Sequence, residues 1–123
     1  MWRLIFIGFL IAHGAVHAAI WASPKAKAAG APFDPSHSWL LGSQRGLAIG
    51  LALVAAGLLA SAGIGLWTHA EWWRGIGTAA LGTSFALMVV YFNPWFLPIE
   101  AVNLGLIIGL LWLDWPSRAM VGA

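Results

Sequence analysis

Apolar residues fill this chain in four long runs, separated by short stretches rich in proline, glycine and polar residues. Alternation with a period of two, the mark of half-buried strands, is absent. An apolar helix rises about 1.5 Å per residue and needs about 20 residues to cross about 30 Å of hydrocarbon, which is the length of these runs. The first span covers 2–22 and stops at Ser23-Pro24, where proline lacks a donor and disfavours helix in the residue before it. Residues 23–38, with Lys25, Lys27, Gly30, Pro32, Asp34, Pro35 and His37, form a long first loop by their turn chemistry. The second span is expected over about 39–67, with Ser36 a candidate cap before it and a strictly apolar part from Gly46 to Trp67. A connector containing His69 and Glu71 leads to the third span, about 74–92. Asn93-Pro94-Trp95-Phe96-Leu97-Pro98 reverses the chain into a fourth span, about 99–115, ended by Pro116.

Composition turns these runs from buried core into membrane. Of 123 residues 61% are hydrophobic and 8% charged, against about 25% charged in soluble domains. The nine Trp lie at or near span ends, where an amphipathic ring meets both headgroup and hydrocarbon. Because lipid leaves no backbone donor satisfied at an open sheet edge, the expected architecture is all-α: one integral membrane domain over 1–123, a four-helix bundle of up-down topology. The chain is thus expected as a multi-pass protein of the cell membrane, its first span retained because no cleavage site stands out. Arg3, Arg74 and Arg118 balance Lys25, Lys27 and Arg45 across the two sides, and Arg3 at the start of the first helix tips the termini to the cytoplasm. A net charge of +2 without a basic patch excludes nucleic acid as a partner. The absence of cysteine excludes disulfides, thiolate catalysis and Cys-ligated metals.

Small residues recur four apart, at Gly42, Gly46 and Gly50, at Gly105 and Gly109, and at Gly8 and Ala12. Such spacing lets helix backbones approach in lipid, and packing inside the bundle is favoured over a dimer face.

Candidate chemistry lies in the few polar residues at membrane depth, each of which costs about 2.5–3.5 kcal/mol if charged and unpartnered. His13 and His17 sit four apart, on one face of the first helix. Glu100 and Asn103 share a face of the fourth, and Arg45 and Tyr91 fall on the same side of the membrane as these groups. The expected pairs are His17 with Glu100, Arg45 with Glu100, and Asn103 with either ring. Glu100, Asn103, Ile107, Leu110 and Asp114 trace an inward seam. Three roles stay open for the His pair: hydrogen bonding across the bundle, proton transfer, or a ligand site in which His13, His17 and Glu100 hold a metal ion. A haem with one His ligand and an open position also fits. His37 and His69 are expected as solvated loop residues. No glycine-framed serine or phosphate loop supports a specific catalytic class.

Ala12-His13-Gly14-Ala15-Val16-His17, Phe33-Asp34-Pro35-Ser36-His37-Ser38-Trp39-Leu40-Leu41-Gly42 and Phe92-Asn93-Pro94-Trp95 together resemble a group of small four-helix bacterial membrane proteins, common in actinobacteria, whose first helix carries His-Gly-x-x-His. The layout is more weakly similar to DoxX-like membrane proteins. The resemblance implies the architecture and the His pair, and no reaction. The expected function is an intramembrane polar site of His13, His17, Arg45, Tyr91, Glu100 and Asn103 that binds a metal, haem or lipophilic small molecule. The alternatives are an accessory subunit of a larger membrane complex and a small proton-coupled transporter, working as a homodimer.

Overall fold

A computed structural model of the chain describes residues 1–22 and 34–122, and these residues are all-α apart from one small hairpin. Helix α1 spans Trp2–Ala22, α2 Arg45–Trp67, α3 Trp73–Val90 and α4 Leu97–Leu111, and a single turn, α5, spans Arg118–Val121. The first three helices, and Pro94–Leu111 with its leading 3-10 turn, are each long and apolar enough to cross a membrane.

Three apolar clusters set the packing. Trp21 of α1, Ala48 and Ala52 of α2, Leu87 and Met88 of α3 and Phe96 meet at one end. Leu10, Leu59, Ala62, Ala80 and Leu81 fill the middle. Phe6, Ile7, Leu66, Trp73 and Val121 close the other end. The end of α1 therefore meets the start of α2, the end of α3 and the approach to α4, so successive helices run in alternating directions. Helices α1 and α2, α2 and α3, and α3 and α4 pack closely, whereas α1 and α4 meet mainly through side chains. Gly14 is what lets α1 reach α2. A Cβ built there would lie 3.0 Å from the Ala56 carbonyl oxygen and 3.3 Å from Ala56 Cα, both backbone atoms.

The element boundaries differ from the sequence reading at α2, α4 and α5, and by one or two residues at α3, which ends at Val90 rather than 92. Residues 39–44 are not helical: His37–Ser38 and Gly42–Ser43 pair as an antiparallel hairpin, and α2 starts at Arg45. Leu40 and Leu41 prolong the apolar pattern, but Gly42 at φ +69° breaks any helix through them. Ser36 does not cap α2; its amide and hydroxyl both bond Asp34 Oδ1. Helix α4 starts earlier than 99, with Pro98 in its first turn, and stops at Leu111 rather than 115. Short α5 was not expected; Ser117 caps it, accepting from the Met120 amide. The remainder of the expected first loop, 23–33, lies outside the described residues, and with it Lys25 and Lys27.

The small-residue stripes are also misassigned. Around Gly8, Gly46, Gly50 and Gly105 nothing lies within 4 Å of a built Cβ, and Gly42 is not on a helix. These stripes face outward. The close approaches are at Gly14, at Gly63 against Ile11, at Gly65 against Trp72, and at Gly109 against Trp115, the one predicted position that is tightly packed.

Candidate functional site

The polar residues of α1, α3 and α4 form a closed hydrogen-bonded ring at mid-helix. His17 Nδ1 lies 2.9 Å from the carbonyl oxygen of His13, which only accepts, so Nδ1 carries the proton. With both imidazoles neutral, His17 Nε2 then accepts from the Ser84 hydroxyl at 2.7 Å. Ser84 Oγ accepts in turn from Asn103 Nδ2, also at 2.7 Å. The ring closes as His13 Nε2–H donates to Asn103 Oδ1 at 2.9 Å. Donors and acceptors alternate without conflict, and His17, Ser84 and Asn103 are all 0% exposed. Stacking extends the column along α1: Phe9 lies on His13, and His17 on Trp21, with centroids 5.4 Å and 5.7 Å apart.

Of the expected site residues, the fold brings together His13, His17 and Asn103. Glu100 lies one turn from Asn103 on α4 and is 9% exposed, yet among the described residues neither carboxyl oxygen has a hydrogen-bond partner. The expected pairs of Glu100 with His17 and with Arg45 are not formed: Arg74–Asp114 is the one ion pair among the described residues. Arg45 instead borders a crevice with Trp21, Asp34, Pro35 and Ser36 that has room for about one water. Tyr91 is buried and donates to the Gln44 carbonyl at 2.9 Å, tying the end of α3 to the start of α2. Of the predicted α4 seam, Glu100 and Asn103 are buried and Ile107 and Leu110 half-buried; Asp114 lies past the helix and is exposed.

For the expected metal set of His13, His17 and Glu100, no group of three His, Cys, Asp or Glu side chains stands close enough to hold an ion among the described residues. Both ring nitrogens of His17, and Nε2 of His13, are already used. The His13 Nδ1 lone pair is the imidazole position that no described residue engages.

Ser84 is the member of the ring that sequence reasoning missed. Hydroxyls in membrane helices commonly bond the carbonyl one turn back. Thr78, Thr83 and Ser61 do so here, at 2.8–2.9 Å. The signal for Ser84 was register, since it falls in phase with buried Gly77, Ala80, Leu81, Leu87 and Met88. Arg74 was missed as well. It donates to the Leu110 and Pro116 carbonyls at 3.0 and 2.8 Å, satisfying acceptors at the end of α4, and pairs with Asp114 at 3.1 Å. Expected to be solvated, His69 holds a positive φ of 58° at the end of α2, a place that glycine commonly takes. Its ring accepts from Arg3 and donates to the Gly122 carbonyl, linking the start of α1 to α5.

Beside the ring runs a wholly apolar groove of about 240 Å³ between α1 and α4, lined by Trp2, Ile5, Phe6, Phe9, Val102, Leu106 and Trp115. It is connected to the ring through Phe9, which lines the groove and stacks on His13. Glu100 is not part of it: at 100° per residue Glu100 and Val102 project roughly 160° apart around α4. Fold and site together define a class, an all-α protein with four membrane-length helices and a polar ring inside them. No family model, no curated protein and no solved structure matches the chain.

Proposed function

We propose that this is an integral membrane four-helix bundle of up-down topology that binds a lipophilic small molecule in the groove between α1 and α4. The ligand's apolar body lies against Phe6, Phe9, Val102 and Leu106, and a hydrogen-bond donor at its end reaches past Phe9 toward His13 Nδ1. The observation that carries this reading is the apolar groove itself, walled on α1 by Phe9, whose ring stacks on half-buried His13, an imidazole with one nitrogen that no described residue engages. Ligand sites of this kind join a mostly apolar wall to a few placed polar groups. The ring itself serves as interhelical glue, holding α1, α3 and α4 in register. Proton transfer through it is disfavoured, because the Asn103 amide would have to hand on a proton. A metal held by His13, His17 and Glu100 together is disfavoured, because both His17 nitrogens are in use and no such group of three stands together among the described residues.

Mass spectrometry of solvent extracts from protein purified in mild detergent tests the proposal. An apolar compound retained by the wild type and lost from both Phe9→Trp, which fills the groove, and His13→Phe, which removes the acceptor, is expected. Identical extracts from all three proteins would overturn it.

A second reading, an accessory subunit or homodimer, draws on the outward small-residue stripe of Gly46 and Gly50, to which a second helix could approach closely. Since the chain has no cysteine, Gly50→Cys cross-linking in native membranes reports directly on it. Termini on the cytoplasmic side complete the proposed topology. Labelling of His37→Cys, exposed in the hairpin, by an impermeant reagent from outside the cell is expected, and labelling from inside only would invert it.

A further inference from the structure

The end of the bundle formed by the start of α1, the α2–α3 turn and α5 carries a cavity of about 210 Å³, lined by His69, Glu71, Trp73, Arg74, Arg118 and Gly122. Arg3 joins it through its hydrogen bond to His69. Two of the three guanidiniums are committed: Arg74 to two carbonyls and Asp114, and Arg3 to the His69 ring. Arg118 is exposed and has no hydrogen-bond or ion-pair partner among the described residues. Trp2, Trp67, Trp72, Trp112 and Trp115, between 43% and 72% exposed, surround the same end. Exposed Trp rings favour the headgroup level, so they set the depth of this cavity in the membrane at the plane of the lipid phosphates. A concave site there with a free guanidinium, a second guanidinium fixed by α4 and an aromatic wall matches a phosphodiester in charge, depth and donor type.

We propose that this cavity binds the phosphate of an anionic membrane lipid, with Arg118 as the direct ligand and Arg74 as the fixed second cation. Glu71, the acidic group on the cavity wall, is exposed and turns away dianionic headgroups in favour of a singly charged one. The proposal rests on the membrane-spanning reading but not on the ligand of the α1–α4 groove, since the two sites are lined by different residues.

Full-length protein reconstituted in phosphatidylcholine vesicles containing brominated phosphatidylglycerol tests this through quenching of tryptophan fluorescence, with brominated phosphatidylcholine as reference. The expected result is a several-fold preference for phosphatidylglycerol that falls about five-fold in Arg118→Gln, the equivalent of about 1 kcal/mol for one interfacial cation. Arg45→Gln, at the opposite end of the bundle, keeps the preference. Equal quenching by the two lipids, or a preference unaltered in Arg118→Gln, overturns the proposal. Loss of the preference in excess inorganic phosphate at constant ionic strength would also overturn it, by assigning the cavity to free phosphate. Arg118 is exposed on a one-turn helix, and an unchanged circular dichroism melt of Arg118→Gln guards against a folding artefact.

Discussion

Replacing Ser84 by alanine deletes one oxygen but removes two hydrogen bonds, those to His17 Nε2 and from Asn103 Nδ2. Hydrogen bonds between membrane helices average about 0.6 kcal/mol and reach about 1.7, so two account for about 1.2 to 3.4 kcal/mol. Both orphaned groups are fully buried, and neither water nor lipid replaces the lost partner, which places the expected loss near the middle of that span, about 2 kcal/mol. Steric-trapping or SDS unfolding in bicelles measures it. Ser61→Ala is the control: the Ser61 hydroxyl bonds its own helix at Gly57, and its removal is expected to change stability by less than about 0.5 kcal/mol. The ring makes a second demand, since Ser84→Ala and Asn103→Ala remove a shared interaction and their double mutant should show coupling of at least about 0.5 kcal/mol. A Ser84→Ala protein as stable as the control, or strict additivity in the cycle, would refute the closed ring and with it the structural role given to His17.

Gly14→Ala should cost about 1–3 kcal/mol in the same assay, because its Cβ meets the Ala56 backbone, whereas Gly50→Ala, pointing into open space, should be neutral or stabilising; equal effects would argue against the close α1–α2 contact. Glu100→Leu is expected to stabilise the bundle by about 1–3 kcal/mol, since it removes a buried carboxyl with no well-formed hydrogen bond among the described residues, and a clear loss of stability would show that the carboxyl has a partner. Arg74→Met should lose about 1–2 kcal/mol through the carbonyls of Leu110 and Pro116, while Asp114→Asn, on the exposed side of the ion pair, should lose less than about 0.5; thermal melts that rank the two in reverse would place the weight on the ion pair.

The amino-acid sequence by itself determined the class of the fold. Chain segments as apolar as 2–22 and 46–67 can satisfy their backbone in lipid only as helices, whatever surrounds them, so their number and approximate limits are legible from composition and length. The His13–His17 face and the inward turn of Asn103 were legible for the same reason, because polar groups are costly in hydrocarbon and helical spacing says which of them share a side. What the tertiary structure decided was partnership. Rotation of each helix about its axis chose Ser84 over Glu100 as the partner of His17, turned Gly46 and Gly50 outward and Gly14 inward, and left the buried Glu100 carboxyl outside the ring. A one-dimensional pattern gives the face of a helix but not the neighbour it meets. In a bundle where nearly every face is apolar, hydrophobicity discriminates poorly among rotations, and the choice falls to close backbone contacts and a few hydrogen bonds between residues far apart in the chain.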